Sequence, residues 1–375
     1  MKMCIMLNVF LQHFLFLQKA FKYLDQFLIC SSISSICLSA VASSCSPAFR
    51  SSLLSNIKRF KMDLSSQNND IAKWMRLAKQ AVPYLNNDKH KGQDGRIGII
   101  GGSLEYTGAP YFAAISALKL SSSVGADLSH VFCTKAAAPV IKSYSPELIV
   151  HPLLDVENSA AEVAPWLDRI HVLVIGPGLG RDPQILHNVS SIIELCRSLK
   201  KPLIIDADGL FLITENFDLI RNYPQPGIIL TPNKVEFERL YKVIKSPDAK
   251  TDEVAIDFNK LGRNILILRK GSADETFNID PETHWTNSVG GSPRRCGGQG
   301  DLLAGSMATF FNWSIRNLND YKDSMVPAAV ACFAASRLTR SCNQKAFFTK
   351  GRSMVCSDMI EKIHQAFDDE FEHTS

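Results

Sequence analysis

Seven short apolar runs, separated by amphipathic segments, constrain this chain more than any other feature. They are Arg96–Ile100, Asp127–Phe132, Leu148–Leu153, His171–Ile175, Pro202–Ile205, Gly227–Leu230 and Asn264–Leu268. Each is rich in Ile, Val and Leu without strict alternation, as expected of strands covered on both faces. Helical periodicity fills the intervals at Ala109–Leu120, Ser159–Leu167, Pro183–Leu199, Lys234–Val243 and Asp252–Leu261. Strand–helix alternation with short joins predicts an α/β chain with a mainly parallel central sheet and helices on both faces. In such sheets ligands bind outside the carboxyl ends of the strands. Gly101-Gly102, Gly176 to Gly180, Asp206 to Asp208, Thr231-Pro232-Asn233 and Lys270-Gly271 all trail expected strands. They are therefore predicted to converge on one edge.

The 375 residues are 46% hydrophobic and 21% charged, with a net charge of +4, an ordinary globular composition. No Lys/Arg block suggests nucleic acid. The ten cysteines are scattered with no Cys-x-x-Cys pair, which suits idle thiols in a reducing compartment. His and Cys show no metal-ligand spacing. The first sixty or so residues differ: one acid, Asp25, stands against Lys2, Lys19, Lys22, Arg50, Lys58 and Arg59, and Ser31 to Ser55 is serine-rich. An acid-poor, basic, Ser-rich leader over residues 1–61 reads as a transit peptide for mitochondrion or plastid. The apolar stretch Cys4 to Leu17 is the competing secretory signal, but Asn8, Gln12 and His13 interrupt it and it is short for a membrane span. Met62 offers a start for a cytosolic form. The remaining residues, 62–375, read as a single catalytic domain.

Gly297-Gly298-Gln299-Gly300-Asp301 precedes an apolar helical run, Leu302 to Phe311. Glycines that let a ligand approach, unpaired N–H groups and the positive end of a helix dipole suit a phosphate. Asp301, in the first turn, can take a proton from a hydroxyl there; the plainer alternative is a helix cap. Arg294 and Arg295 can neutralise transferring charge. Cys296 has no histidine nearby to act as its base and reads as non-catalytic. Gly176-Pro177-Gly178-Leu179-Gly180 has more glycine than a turn needs. Asp206 and Asp208 leave open a helix cap and a carboxylate orienting Mg²⁺ waters. Asn233 with Glu236 reads as a capping box. Gly98-Ile99-Ile100-Gly101-Gly102 fails the dinucleotide fingerprint in spacing.

The run Arg294-Arg295-Cys296-Gly297-Gly298-Gln299-Gly300-Asp301-Leu302-Leu303 resembles the hallmark of eukaryotic ATP-dependent NAD(P)H-hydrate dehydratases, members of the ribokinase-like superfamily. Further segments match in order: His90 to Gln93 with Gly95 to Gly98, Gly101-Gly102 with Tyr106 to Pro110, Gly176 to Gly180, Asp206 to Leu210, Thr231-Pro232-Asn233 with Glu236-Phe237, and Lys270-Gly271. The resemblance covers roughly Ile71 to the C-terminus. Lys119 to Asp127 departs from the family pattern by a serine stretch, Ser121 to Ser123, which is expected to fray the helix end or bulge the loop.

The resemblance implies a ribokinase-like fold and a lyase activity in nicotinamide nucleotide repair. Hydrated NADH or NADPH, a 6-hydroxy hydrate, is dehydrated at the expense of ATP, giving NADH or NADPH, ADP and phosphate. It implies Asp301 as catalytic base. It places substrate on Gly180, Asn233, Lys234, Val235, Glu236, Phe237, Glu238, Arg239 and Asp301. It places ATP on Lys270, Gly271, Ser272, Ala273 and Asp274, and on Gly291, Ser292, Pro293, Arg294, Arg295, Cys296, Gly297, Gly298, Gln299 and Gly300. Mg²⁺ would accompany ATP, and no metal-binding residues are assigned. The partners are small molecules, with neither nucleic acid nor stable membrane insertion; a homo-oligomer stays open. Two alternatives remain: a ribokinase-like kinase that stops at a phosphorylated small molecule, and a nucleotide-binding protein without catalysis.

Overall fold

The computed structural model describes residues 70–84, 95–121, 128–246, 254 and 256–372. The leader 1–61, the His90–Gln93 motif and most of the serine stretch lie outside the described residues. The seven expected strands form, each end within one residue of its expected position: β1 Arg96–Ile100, β2 Leu128–Cys133, β3 Ile149–Pro152, β4 Val172–Ile175, β5 Leu203–Ile205, β6 Ile228–Leu230 and β7 Ile265–Arg269. With β8 Asp274–Phe277 and β9 Thr286–Asn287 they make a nine-stranded sheet among the described residues, ordered β3-β2-β1-β4-β5-β6-β7-β8-β9. β1 to β7 are parallel; β8 and β9 pair antiparallel at the edge.

Strand residues alternate between two cores, which explains the continuous hydrophobicity. Ile97, Ile99, Val172, Val174, Ile204, Ile229, Leu266 and Leu268 pack into one core with the helices 70–81, Gly108–Ser121, Gln299–Asn317 and Val326–Lys350. Leu173, Ile175, Leu203, Ile205, Ile228, Leu230, Ile265 and Ile267 enter the opposite core, covered by Ser159–Leu167, Pro183–Ser198, Ala207–Glu215 and Lys234–Ile244. Among the described residues, no helix is long and apolar enough to cross a membrane.

One expected helix shrinks. Over Asp252–Leu261 only the turn Phe258–Leu261 is helical within the described residues; Asp257 caps it, and Ile256 instead bridges to Lys245. The helix after the glycine loop is longer than its apolar run, extending over Gln299–Asn317. A Cβ on its Gly305 would stand 2.0 Å from the Ala113 carbonyl oxygen. That glycine lets the helix lie almost backbone to backbone on Gly108–Ser121. The hydroxyl of Thr309 donates to the Ala117 carbonyl at 3.1 Å across the same contact. The glycine loop and the start of the Gly108 helix are thereby held on one edge.

The chain runs from β1 outward through β2 and β3, then returns to the other side of β1 as β4. The crevice between β1 and β4 is the topological switch point where α/β sheets take ligands. Its two loops are joined: Gly176 N–H donates to Ile100 at 2.9 Å and Gly102 N–H to Gly178 at 3.1 Å. Gly176 has φ 122, a conformation that a side chain would oppose.

Candidate active site

Strand ends and the starts of the helices that follow them build the site. β5 ends at Ile205 and a helix begins at Ala207. Ala207 takes φ 47, a left-handed conformation costing a residue with Cβ about 1–2 kcal/mol. That turn parts the two carboxylates beside it. Asp206 does not cap the helix with its side chain; it points to the next strands. Buried to 2% exposure, its Oδ1 accepts from Lys270 Nζ at 2.6 Å and from the Thr231 hydroxyl at 2.8 Å. Asp208 turns the other way, accepting the Gly180 N–H at 3.1 Å and Arg181 Nε at 3.2 Å. One acid faces the end of β7, and the other holds the Gly176–Gly180 loop.

Helix Gln299–Asn317 begins at Gly298, whose φ is 87. Its first-turn N–H groups lack intrahelical acceptors. Gly300 stands over the ion pair: a Cβ there would lie 3.5 Å from Lys270 Nζ and 3.8 Å from Asp206 Oδ2. Asp301, in the same turn, keeps some exposure, yet most of its surroundings are protein. Burial, reinforced by the Asp206 charge and opposed by Lys270, pushes its carboxyl up to about 8. Burial alone would depress the Lys270 ammonium, but the carboxylates of Asp206, Glu236 and Asp301 raise it above its ordinary value. Lys270 is therefore a fixed positive charge facing the glycine loop.

The Asn233–Glu236 capping box forms. Asn233 Oδ1 accepts from Val235 and Glu236 N–H, each at 3.0 Å, and Asn233 N–H donates to Glu236 at 2.8 Å. Burial raises the Glu236 carboxyl and Lys270 pulls it back, which places Glu236 beside the same lysine. The stretch Asn233 to Arg239 is helical from Lys234 onward, so its residues diverge. Phe237 is buried, stacked on Phe277 at 5.8 Å, with Arg269 over its ring at 5.1 Å. Lys234, Val235, Glu238 and Arg239 are exposed.

Residues 270–274 are the turn between β7 and β8. Asp274 is sealed beneath it: its carboxylate accepts from Arg340 Nε at 2.9 Å, the Ser336 hydroxyl at 2.7 Å and the Gly271 N–H at 3.0 Å. Gly271 and Ser272 are exposed. Arg295 Nη2 donates to the Gly271 carbonyl at 3.2 Å and so ties this turn to the glycine loop. Arg294 and Arg295 are exposed. Burial raises the Cys296 thiol, in keeping with a non-catalytic cysteine.

Arg340 and Asn343 escaped the sequence reading. Both lie on helix Val326–Lys350, far along the chain from any motif. No glycine or motif marks them, and between Ala328 and Ala346 they stand among other polar residues, Arg337, Gln344 and Lys345 included.

The mainly parallel sheet with helices on both faces is shared with a known class of solved structures. A ribokinase-like superfamily protein from Enterococcus faecalis aligns with a TM-score of 0.63 at 20% identity, covering 79% of this chain and 94% of that one. The ADP/ATP-dependent NAD(P)H-hydrate dehydratase of Bacillus subtilis, co-crystallised with ATP and Mg²⁺, aligns at 0.58 and 20% identity over 79% and 96%. The fold is ribokinase-like. An ATP-dependent (S)-NAD(P)H-hydrate dehydratase from Aedes aegypti is 57% identical over 296 residues, spanning 79% of this chain and 84% of the relative. The NAD(P)H-hydrate dehydratase family model matches residues 97–365. The chain belongs to the NAD(P)H-hydrate dehydratase family.

Proposed function

We propose that this chain is an enzyme that uses ATP to dehydrate the 6-hydroxy hydrates of NADH and NADPH. The observation that carries the reading is Asp301, held in the first turn of the glycine-loop helix beside the Lys270–Asp206 pair. The hydrate's hydroxyl is a poor leaving group. Transfer of the γ-phosphoryl group makes it a phosphate ester and releases ADP. Loss of phosphate, with a proton leaving the ring, then restores the double bond. Asp301 in its ionised form takes the hydroxyl proton as its oxygen attacks phosphorus; with the carboxyl raised to about 8, that form grows as pH rises toward this value. Amides of Gly297 to Gly300 and the exposed Arg295 stabilise the transferring charge. Lys270 faces the same phosphoryl oxygens. Gly180, fixed by Asp208, and the Asn233–Glu236 corner line the nucleotide side.

No cluster of three or more His, Cys, Asp or Glu among the described residues could hold a metal by itself. Mg²⁺ bound to ATP needs few protein carboxylates, since phosphate oxygens and waters fill most of its shell. Asp206 fits this role: Lys270 Nζ and the Thr231 hydroxyl both donate to Oδ1, and Oδ2 faces Gly300. The ion would neutralise phosphate charge there. Incubation with ATP, Mg²⁺ and hydrated NADH tests the whole reading. Return of the reduced-nicotinamide absorbance band, with one ADP per NADH restored, is expected; ADP release with a stable phosphorylated product would make it an ordinary kinase.

The basic, Ser-rich residues 1–61 form a transit peptide in this reading, with catalysis confined to 62–375. Deleting 1–61 should leave turnover unchanged and move a fluorescent fusion from mitochondrion or plastid to cytosol. Unchanged location would refute the address.

A further inference from the structure

The two segments assigned above to ATP, residues 270–274 and 291–300, are mostly turn and loop until the helix begins at Gln299. Irregular backbone can keep one shape only if something satisfies its polar groups. Here the long helix Val326–Lys350 does so, through residues three apart on one face. Asn343 is fully buried. Its Oδ1 accepts the Ser292 N–H at 2.7 Å, and its Nδ2 donates to the Arg294 carbonyl at 3.0 Å and to Gln299 Oε1 at 3.3 Å. Arg340, 5% exposed, donates through Nε to Asp274 and through Nη2 to the Gly271 carbonyl, at 2.9 Å and 3.2 Å.

We propose that Asn343 is a positioning residue for ATP. It pins the loop that enters Gly297–Gly300, while Arg340 pins the Gly271–Asp274 turn from the same helix. The proposal rests on the reading of these segments as the ATP site. Asn is suited to the place because one side chain supplies both an acceptor and donors. Leucine has similar bulk and supplies neither. With it, the Ser292 N–H and Arg294 C=O lose their partners and must turn toward water. The loop then samples many shapes, and ATP bears the cost of ordering it. The hydrate side, on the Gly176–Gly180 loop and the Asn233–Glu236 corner, shares no hydrogen bond with Asn343.

The test uses the full chain with saturable ATP and hydrated NADH. Asn343→Leu should raise KM for ATP about tenfold or more, while KM for the hydrate stays within about twofold. Hydrogen exchange at the Ser292 amide should accelerate. Asn343→Asp keeps the acceptor for Ser292 but loses the donors. It serves as the second variant and should fall between wild type and leucine. Trp285→Phe is the control for stability alone: it deletes the 3.0 Å bond from Trp285 Nε1 to Ala329 on the same helix. It should lower Tm and leave KM for ATP alone. An unchanged KM for ATP in both Asn343 variants overturns the proposal, as does an equal rise in Trp285→Phe. Gly300→Val separates the two levels. If it too binds ATP normally, the ATP reading of the loop falls and takes this inference with it. If Gly300→Val loses ATP and the Asn343 variants keep it, only the positioning role falls.

Discussion

Asp206 with Lys270 and Asp301, and His130 with His151, are two clusters of titratable groups in protein surroundings, and only one of them has the make-up for chemistry. At the carboxyl edge of β5 to β7, Asp206, Lys270 and Asp301 cluster under the glycine loop. At the outer strands β2 and β3, His130 and His151 share a 3.0 Å hydrogen bond inside an aromatic box, with His151 on Phe132 at 4.7 Å and Trp166 at 4.1 Å. Both histidines are depressed to about 4, chiefly by burial. A shifted pKa therefore marks desolvation in either place. What separates them is address: the carboxyl edge has a helix start, a fixed cation and exposed arginines, whereas the histidine pair has ring faces and no opening for a ligand.

The largest expected contrast comes from Asp301→Asn. The amide keeps the shape and cannot accept the proton, so kcat should fall about 10²–10⁴-fold, the usual worth of a general base. Stability should not follow. A carboxyl raised to about 8 holds a proton in the folded state that the unfolded chain gives up above its ordinary range. Its contribution is present at low pH and fades as pH rises through the folded value. At neutral pH the asparagine should therefore hold or raise Tm. Near wild-type kcat would remove Asp301 from the mechanism and leave the two clusters alike.

The next contrast divides the glycine loop itself. A Cβ on Gly298 would stand 2.7 Å from Phe112 and 2.9 Å from Cys356, at φ 87. Gly298→Val should thus destabilise the fold by roughly 1–3 kcal/mol for the strained backbone, with the clash added. Gly300 has room, with only Lys270 Nζ and Asp206 Oδ2 in reach. Gly300→Val should spare Tm and remove phosphoryl transfer by filling the phosphate's place. Equal losses of Tm and activity in both would mean that the loop is only a turn.

Much of this was legible in the chain, for a physical reason. Strands buried on both faces must be continuously apolar, so β1 to β7 read directly, and the loops trailing them fixed the edge that carries the site. β8, with sequence Asp-Glu-Thr-Phe, is an antiparallel edge strand whose polar residues imitate a loop. The helix expected from Asp252 had the right period, but tertiary contact prevailed: Ile256 pairs with Lys245 and Asp257 caps only a single turn. Glycine spacing and an acid single out Asp301 as a candidate, because that pattern is local in sequence. The ion pair of Asp206 with Lys270 spans 64 positions, and Asn343 meets Ser292 across 51; no local pattern encodes such pairings. Asp274 lies in the turn expected at ATP, and its buried bonds to Arg340 and Ser336, both distant in sequence, brace that turn.

The smallest effect tests the histidine side of the comparison. Unfolded, each imidazole titrates near 6.5; folded, both titrate near 4. Above the unfolded value both states bind the same number of protons, and the pair's contribution is complete. Below it the unfolded chain takes protons that the folded chain refuses, so stability drains as pH falls toward 4. The slope is about 1.4 kcal/mol per pH unit for each proton. The charges around the pair push the same way: Arg96 and Arg169 face His130, and Lys142 faces His151. The double variant His130→Leu, His151→Leu replaces both hydrogen-bond partners with apolar groups, which can be nearly neutral. Denaturation followed from pH 7 to pH 4 should show a flatter acid limb in the double variant, with turnover at neutral pH unchanged. An identical acid limb would place the acid sensitivity elsewhere. A loss of turnover would mean that the aromatic box reaches the site after all.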